Sequence, residues 1–388
     1  MNILWLAQKD LIRDLDISTW IEMCRALGQN GHRVTLVTLS TSREKFNVEL
    51  PGVTIKEIRA IDRFPLLALS FHIQLLWLCC FWLITISPDV MLCHPLTVPF
   101  LIPARLLAIV LRRRCKFVVD LRTVPVRNKT ISEKIKNVFS DAAVWFALRL
   151  FHGITVVSYP LRLIMAHRYR ISPDRIGVWM AGVNVDLFQP DHYICRRDIS
   201  QNSQFVILYH GAIAHNRGLF ETVSAMATVI EQVPHARLVI IGQGLAYARL
   251  AAWIDELNLG HCVQLRGKVN YQEIPEHIAK ADIGIVPLPD EFCWQVSTPL
   301  KLFEYLAMGK PVLVSPIEAH FAVAKDHPAA LFLQSTSPAD IAAGIVAAYH
   351  QRDQLSRHAM EHRPRAAEQF SWSNRAKQLV DYLASLRR

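Results

Sequence analysis

The 388-residue sequence predicts an α/β protein built from two doubly wound, Rossmann-like domains facing across a cleft, and three observations carry that expectation. Short apolar runs alternate with stretches of helical spacing along the whole chain, the pattern of parallel strands joined by crossover helices. The length exceeds what one ordinary core supports. Near the middle, "DHYICRRDISQNSQ", Asp191 to Gln204, has neither periodicity and reads as a linker. The expected organisation is therefore a first domain over residues 1–190, a linker over 191–204, a second domain over 205–370, and a terminal helix over 371–388 that returns to the first domain.

Taken in order, "NILWLA" is the first strand, followed by a helix from about Ile17 to Asn30, then strands "RVTLVTL" and "VTIKEI". An apolar helix leads to "DVMLC", a helix from Leu96 to "KFVVDL", one from about Ser132 to "GITVVS", and one from Leu161 to "RIGVWM". The second half restarts with "FVILYHG", a helix from Gly218, "RLVIIG", a helix from Ala246, "CVQLRG", a helix near Gln272, "IGIVPL", the helix within "STPLKLFEYLAMGKPVLVSP", and "PVLVSP". In doubly wound sheets ligands sit beyond the carboxyl ends of the strands. Gly211, Gly242, Gly267 and the loop from Pro287 to Ser297 all follow strand ends and can border one crevice.

Composition narrows the class without choosing a partner. A formal charge of +10 suits nucleic acid, anionic lipid or phosphorylated substrates alike. The 8 cysteines form no CxxC pair, which points to reduced thiols and away from structural zinc. "MNILWLA" is too short an apolar run for a secretory signal, so no export is expected and the location read is cytoplasmic.

One segment complicates that picture. "FPLLALSFHIQLLWLCCFWLITIS", Phe64 to Ser87, is almost uninterrupted apolar sequence, and as a helix it would reach about 36 Å, enough to span a bilayer. Its flanks read as strands of one sheet, which makes it a crossover. Three readings stand: a spanning helix, a buried or half-buried crossover, and a crossover whose outer face also touches lipid.

The helix opened by "STPLK" carries the chemistry. Ser297 or Thr298 can cap it, Pro299 suits its first position, and Gly309 with Pro311 ends it. Lys301 and Glu304 are its only charges and share one face. Its N-terminus, aimed at the crevice, favours an anion. Lys301 in the first turn is disfavoured by the dipole unless an anion is near, and Glu304 can accept two hydroxyl hydrogen bonds. Phosphate plus sugar hydroxyls fit; an exposed Lys-Glu pair is the plain alternative. Arg217, opening the helix after Gly211 in "YHGAIAHNRGL", can bring a second cation to the same anion, or be a solvated arginine.

These residues carry a resemblance. "YHGAIAHNRGLFETVSAM", "LVIIGQG", "VQLRGKV", "ADIGIVPLP", "STPLKLFEYLAMGKPV" and "FSWSNRAKQLVDYL" together look like the donor half of glycosyltransferase family 4, retaining group 1 nucleotide-sugar transferases of the GT-B fold. "RYRISPDRIGVWMAGVNVDLFQP" and "DISTWIEMCRALGQNGHRVTLVT" resemble that family's passage to the linker and its first helix and second strand. The resemblance implies that Arg217 and Lys301 stabilise the donor diphosphate in catalysis. It also places Gly211 and the backbone of Thr298, Pro299 and Leu300 beside the donor, Glu304 on the ribose hydroxyls, and Arg266 and Val269 at the base.

Three departures stand out. Where the family often has a Glu contacting the transferred sugar, eight residues before the ribose Glu, this chain has Val296. Its usual arginine after the first glycine of the second half is Ala212, and its common cleft His is replaced by Arg122 in "VVDLRTVP", with His94 in "CHPLTVPF" at another strand end. His94 and Arg122 are each read as structural or as facing the acceptor and sugar cleft. The "DLD" of Asp14 to Asp16 has the look of a metal clamp, but beside a helix start it suits capping or, for Asp16, acceptor contact.

The implied activity is retaining, metal-independent, hexosyl-type transfer from a nucleotide diphosphate sugar, with no cofactor and no metal site. The expected partners are the nucleotide sugar, a glycan or lipid-linked acceptor in cell-envelope polysaccharide synthesis, and an anionic membrane surface, with no nucleic acid. The apolar helices and "RRRCK" ending at Lys116 suggest a peripheral position at the inner face of the membrane, although a solvated basic turn reads the same way. A sugar-nucleotide epimerase and a non-catalytic sugar-nucleotide-binding protein remain as rivals. A dinucleotide oxidoreductase is disfavoured because "LAQKDLIRDLD" lacks the glycine-rich turn.

Overall fold

Strands covered on both faces read as unbroken apolar runs, and those runs lie at the centres of two parallel sheets. The computed structural model describes residues 1–11, 17–41, 49–60, 66–122, 131–193 and 204–386. The chain divides into two units, Met1–Met180 with Trp372–Arg388, and Ala181–Ser371.

In the first unit β1 (Asn2–Asp10), α1 (Ile17–Gln29), β2 (Arg33–Ser40), β3 (Val53–Arg59), α2 (Leu66–Thr85), β4 (Val90–Cys93), α3 (Val98–Val110), β5 (Lys116–Leu121), α4 (Ile131–Leu150), β6 (Gly153–Val156), α5 (Tyr159–Tyr169) and β7 (Ile176–Val178) follow one another. The strands pair in parallel in the order β3-β2-β1-β4-β5-β6-β7. Central β4 is buried at every residue, whereas edge strand β3 alternates. Trp5 anchors the core, with Trp20 and Trp179 edge-on at 5.1 and 5.4 Å. The apolar segment forms α2, a crossover between β3 and β4 that buries Phe71, Leu75, Cys79 and Leu83 at four-residue spacing. Among the described residues no helix is long and apolar enough to cross a membrane, so the crossover replaces the spanning reading.

In the second unit β8 (Phe205–His210), α6 (Leu219–Gln232), β9 (Ala236–Ile241), α7 (Tyr247–Glu256), β10 (Val263–Arg266), α8 (Ile274–Lys280), β11 (Ile283–Val286), α9 (Phe292–Gln295), α10 (Leu300–Ala307), β12 (Val312–Val314), α11 (Glu318–Ala324), β13 (Ala330–Phe332), α12 (Pro338–His350) and α13 (Arg352–Phe370) follow. The order is β10-β9-β8-β11-β12-β13, again all parallel. The strand order reverses between β8 and β11, and the crevice at their carboxyl ends is where a doubly wound sheet takes its ligand.

The last helix, α14 (Trp372–Ser385), belongs to the first unit. Its Tyr382 hydroxyl accepts from Ile154 N at 3.1 Å and donates to Arg175 O at 2.8 Å, and Lys116 Nζ donates to Leu383 O at 2.8 Å. The division after the first sheet falls at Met180, not at residue 190, because Val183 N donates to Phe370 O at 2.8 Å and Phe188 packs 5.6 Å from Tyr271 within the second unit. Most of the expected linker, residues 194–203, lies outside the described residues. Strand β13 and helices α11, α12 and α13 were not expected; β13 has only three residues, too few for a period to show.

Helix α10, which carries the candidate charges, is pinned from below. Tyr305 is fully buried, its hydroxyl donates to Leu208 O at 2.8 Å, and a Cβ on Gly284 would lie 2.4 Å from its ring. Glycine in β11 thus clears the space that lets α10 sit against the sheet. Replacing Tyr305 by Phe leaves the Leu208 carbonyl buried without that donor, and is expected to lower stability by about 1–3 kcal/mol, read from the urea unfolding midpoint.

Candidate functional site

The loop after β8 and the helix after β11 meet at the switch point because two glycines permit it. Gly211 has φ +123°, and a Cβ there would sit 3.2 Å from Lys301 Nζ. Gly218 caps α6 with φ +68°, and a Cβ there would lie 1.8 Å from Pro287 O in the loop after β11. Both positions need a left-handed backbone and a missing side chain, which only glycine supplies cheaply.

Lys301 occupies the first turn of α10 and is only 5% exposed. Its Nζ lies 3.5 Å from the centroid of the Tyr209 ring and has no hydrogen-bond partner. Burial, reinforced by the Arg217 charge and only partly offset by Glu304, pushes its pKa well down. Arg217 stacks on Trp294 with its guanidinium carbon 4.2 Å from the ring centroid, and its Nε is buried without a partner. Trp294 is itself held by its indole N–H on Asn216 O at 2.9 Å. His320, fully buried beyond the end of β12, is pushed down to about 4, first by burial and then by Lys301 against the raising bond to Ser315 O. Lys301 and Arg217 thus bring two basic side chains to one neighbourhood at the switch point, an arrangement suited to an anion.

Glu304, one turn deeper, is 1% exposed. Tyr271 OH donates to its Oε1 at 2.8 Å, and His210 Nε2 stands 3.4 Å from Oε2. Burial raises the carboxyl to about 7 against the lowering effects of Tyr271 and Lys301. Burial also holds His210 well below the usual imidazole value, with the Lys301 and His277 charges acting the same way. The exposed Lys-Glu pair is therefore not what forms: both side chains are buried and each has its own surroundings. Only part of the carboxylate is open to two hydroxyls, since one oxygen already accepts from Tyr271.

The rest of the expected donor set is arranged less tightly. Pro299 is the N-cap of α10 rather than its first residue, and Thr298 does not cap, because its Oγ1 donates to Ala319 O at 3.3 Å. Pro299 and Leu300 are half-buried at the helix entrance. Arg266 is exposed at the carboxyl end of β10, and Val269 is half-buried in the following loop. A cavity of about 510 Å³ opens beside that strand, lined by Val206, Val239, Leu265, Arg266 and His277 but by none of Arg217, Lys301 or Glu304. Val296 is fully buried, and the Ala212 carbonyl accepts from Tyr209 OH at 2.8 Å.

In the first unit the other candidates are engaged in the fold. His94 Nδ1 accepts from Leu96 N at 3.3 Å and caps a short 3-10 turn. Arg122 donates to Trp179 O at 2.6 Å and stacks over the Trp179 ring at 3.3 Å. Asp120 beside it takes the Thr155 hydroxyl at 2.8 Å and the Trp179 indole at 3.0 Å, and burial raises it to about 6. Asp16 lies outside the described residues. Among the described residues no group of three or more His, Cys, Asp and Glu is placed to hold a metal ion.

Sequence reasoning missed Tyr209, His210, Tyr271, Trp294 and His320. His210 had a signal, as the polar residue closing an apolar strand just before Gly211. Tyr271 reaches Glu304 from 33 residues away, which no local pattern announces.

Comparison with known proteins agrees with this fold. Residues 18–187 match the Glycosyltransferase Family 4 model and residues 204–351 the Glycosyl transferases group 1 model. An uncharacterized glycosyltransferase of Methanocaldococcus jannaschii is 24% identical over 237 residues, 59% of this chain and 58% of that protein. A D-inositol 3-phosphate glycosyltransferase of Segniliparus rotundus is 26% identical over 230 residues, 56% of this chain and 49% of that protein. The chain thus spans about half the length of the curated relatives it matches. Among solved structures, Anabaena HepE in complex with UDP superposes with a TM-score of 0.76 over 100% of both chains at 15% identity, the likeness of a shared fold. With matched models over most of each half and a GT-B architecture throughout, the chain belongs to the family 4, group 1 glycosyltransferases.

Proposed function

We propose that the protein is a retaining glycosyltransferase that moves a hexosyl group from a nucleotide diphosphate sugar to a lipid-linked acceptor or a growing cell-surface polysaccharide. The observation that carries this reading is the buried, partnerless Lys301 ammonium with Arg217 beside it at the switch point of the second sheet. A diphosphate supplies the missing anion, and Glu304 then meets the ribose hydroxyls with the oxygen that Tyr271 leaves open. Gly211 and the Thr298, Pro299 and Leu300 backbone would flank the phosphates, and Arg266 and Val269 the base. The UDP bound to HepE belongs to the same ligand class.

Loss of the diphosphate leaving group builds negative charge as the sugar becomes oxocarbenium-like. Fixed cations gain strength in that transition state relative to the ground state, and Arg217 and Lys301 would act this way. In the same-face attack implied by the family resemblance, a donor phosphate oxygen takes the acceptor proton, so neither a dedicated base nor a metal is required. Work on a lipid-linked acceptor fits a cytoplasmic enzyme held peripherally at the inner face of the cell membrane.

Three outcomes follow. Wild-type protein should bind UDP, GDP or ADP by calorimetry and, with a panel of labelled nucleotide sugars, transfer sugar with retained anomeric configuration; isomerisation without acceptor, or binding without turnover, would favour an epimerase or a non-catalytic binder. Replacing Lys301 by Met should weaken binding of the preferred nucleotide at least about tenfold while leaving the ligand-free protein as stable as wild type or up to about 4 kcal/mol more stable, because a desolvated charge is removed. Glu304→Gln isolates a proton linkage. The folded carboxyl titrates near 7 and the unfolded one near 4.5, so the folded state binds the extra proton between them and stability falls as pH rises through that window. Wild type should therefore lose stability relative to Glu304→Gln between pH 4.5 and 7, by at most about 3 kcal/mol, in urea titrations at stepped pH; parallel curves would remove the buried carboxyl from the argument.

A further inference from the structure

Helices α2, α3 and α4 pack in sequence on the first sheet, and their outer faces carry large apolar side chains that a water-facing layer does not need. On α4 the small residues Ala143, Val144 and Ala147 face the core, while Phe139, Trp145 and Phe146 face outward, Phe139 being 64% exposed. On α3, Ala104 and Ala108 are buried, and Ile109 and Val110 are exposed, the latter at 77%. On α2, Trp77 is 69% exposed and stacks on exposed Phe81 at 5.6 Å. A soluble helix puts its large apolar side chains inward and charge outward; α2 buries Phe71, Leu75 and Leu83 and α3 buries Leu101, yet all three neighbours also carry large apolar side chains on the outer face. Most of the large apolar side chains exposed among the described residues lie on the helices of this unit.

The described side chains bordering this face are predominantly basic. Neither α2 nor α3 contains an Asp or Glu, and α3 runs straight into exposed Arg112, Arg113 and Arg114. Arg113 donates to Ile84 O at 3.0 Å, which fixes that basic corner to the end of α2. Arg149 lies over the Trp145 ring with its guanidinium 3.4 Å from the centroid, a cation beside an outward aromatic. Asp141 on α4 is already paired with Arg168. A second copy of the chain, meeting this face with the same face, would set arginine against arginine. A bilayer carrying anionic headgroups satisfies both features at once, since aromatic and aliphatic groups enter its interface and arginines meet its phosphates.

We infer that the outer face of α2, α3 and α4 is a docking surface for an anionic lipid bilayer, with Trp77, Phe81, Phe139 and Trp145 entering the interface and Arg112, Arg114 and Arg149 on its headgroups. This names the surface behind the peripheral membrane position and rests on the transferase reading only for the acceptor that such docking would serve. Half of it was invisible in the sequence, because α4 carries enough polar residues to pass for an ordinary amphipathic helix until its burial is known.

Flotation of the full chain with vesicles tests it. The wild type should float with equimolar phosphatidylcholine and phosphatidylglycerol, remain at the bottom with phosphatidylcholine alone, and release as salt rises. The Trp77→Ser, Phe139→Ser double variant and the Arg112→Gln, Arg114→Gln double variant should each lose at least about tenfold in partitioning, with unchanged melting temperature and unchanged UDP affinity. Wild type that stays at the bottom with the anionic vesicles overturns the inference, as does flotation unaltered by both sets of substitutions. A concentration-dependent dimer in sedimentation velocity that the serine variant abolishes, without flotation, assigns the face to a second copy instead. Flotation with no binding of any nucleotide would leave the docking surface standing and remove the transferase reading alone.

Discussion

An ammonium held where water does not reach it is the constraint around which the second unit is arranged. Lys301 has no acceptor on Nζ, lies at the positive end of α10, and feels a second cation in Arg217. Each of these raises the cost of charge. The structure nevertheless makes room for it: Gly211 gives up a side chain beside Nζ, the Tyr209 ring offers its face, and Gly284 with Tyr305 fixes the helix that aims the lysine. Under the proposed reading a bound anion would offset that cost, and ligand affinity and folding stability would be coupled through one side chain.

Two buried carboxyls of the same shifted kind sit in different surroundings. Asp120 and Glu304 are both raised by burial, to about 6 and about 7. Asp120 has a hydroxyl and an indole on one oxygen and the Arg122 charge alongside, all from its own unit, and the cluster ties β5 to β6 and to the chain after β7. Glu304 has a single short hydrogen bond from Tyr271 and a neutral imidazole at 3.4 Å. The first cluster is explained by the strands it joins, although Asp120 Oδ2 is buried without a partner. The second ties α10 to Tyr271, while Tyr305 on the same helix ties it to β8, and among the described residues the second Glu304 oxygen faces only the imidazole.

Much of the architecture was legible because parallel sheets write themselves as apolar runs. Strands such as "VMLC" and "IGIV" are buried throughout and were found, and their alternation with helices pointed to parallel sheets. Gly211 and Arg217 could be picked out because they lie between a strand end and the next helix, and Lys301 and Glu304 because they are the only charges on an otherwise apolar helix. What was not legible depended on distance or on direction. Tyr271 and Trp294 reach the site across loops. The capping of α10 went to Pro299 because the Thr298 hydroxyl found Ala319 instead. The boundary at Met180 reflects a single parallel bridge, Val183 with Ser371, that pulls residues after β7 into the second unit.

Helix α10 shares its lack of a side-chain cap with α6, α7, α8, α11 and α13, so that feature does not set it apart. What does is that it places a lysine where the dipole opposes it and buries that lysine and a glutamate on an eight-residue helix. Two apolar side chains would fill the same space at lower cost, since the sheet below already accepts Leu302, Tyr305 and Leu306. Under the proposed reading the cation and the carboxylate have one occupant in common. An anion joined to a polyhydroxylated ring meets both, and a simple anion meets only the first.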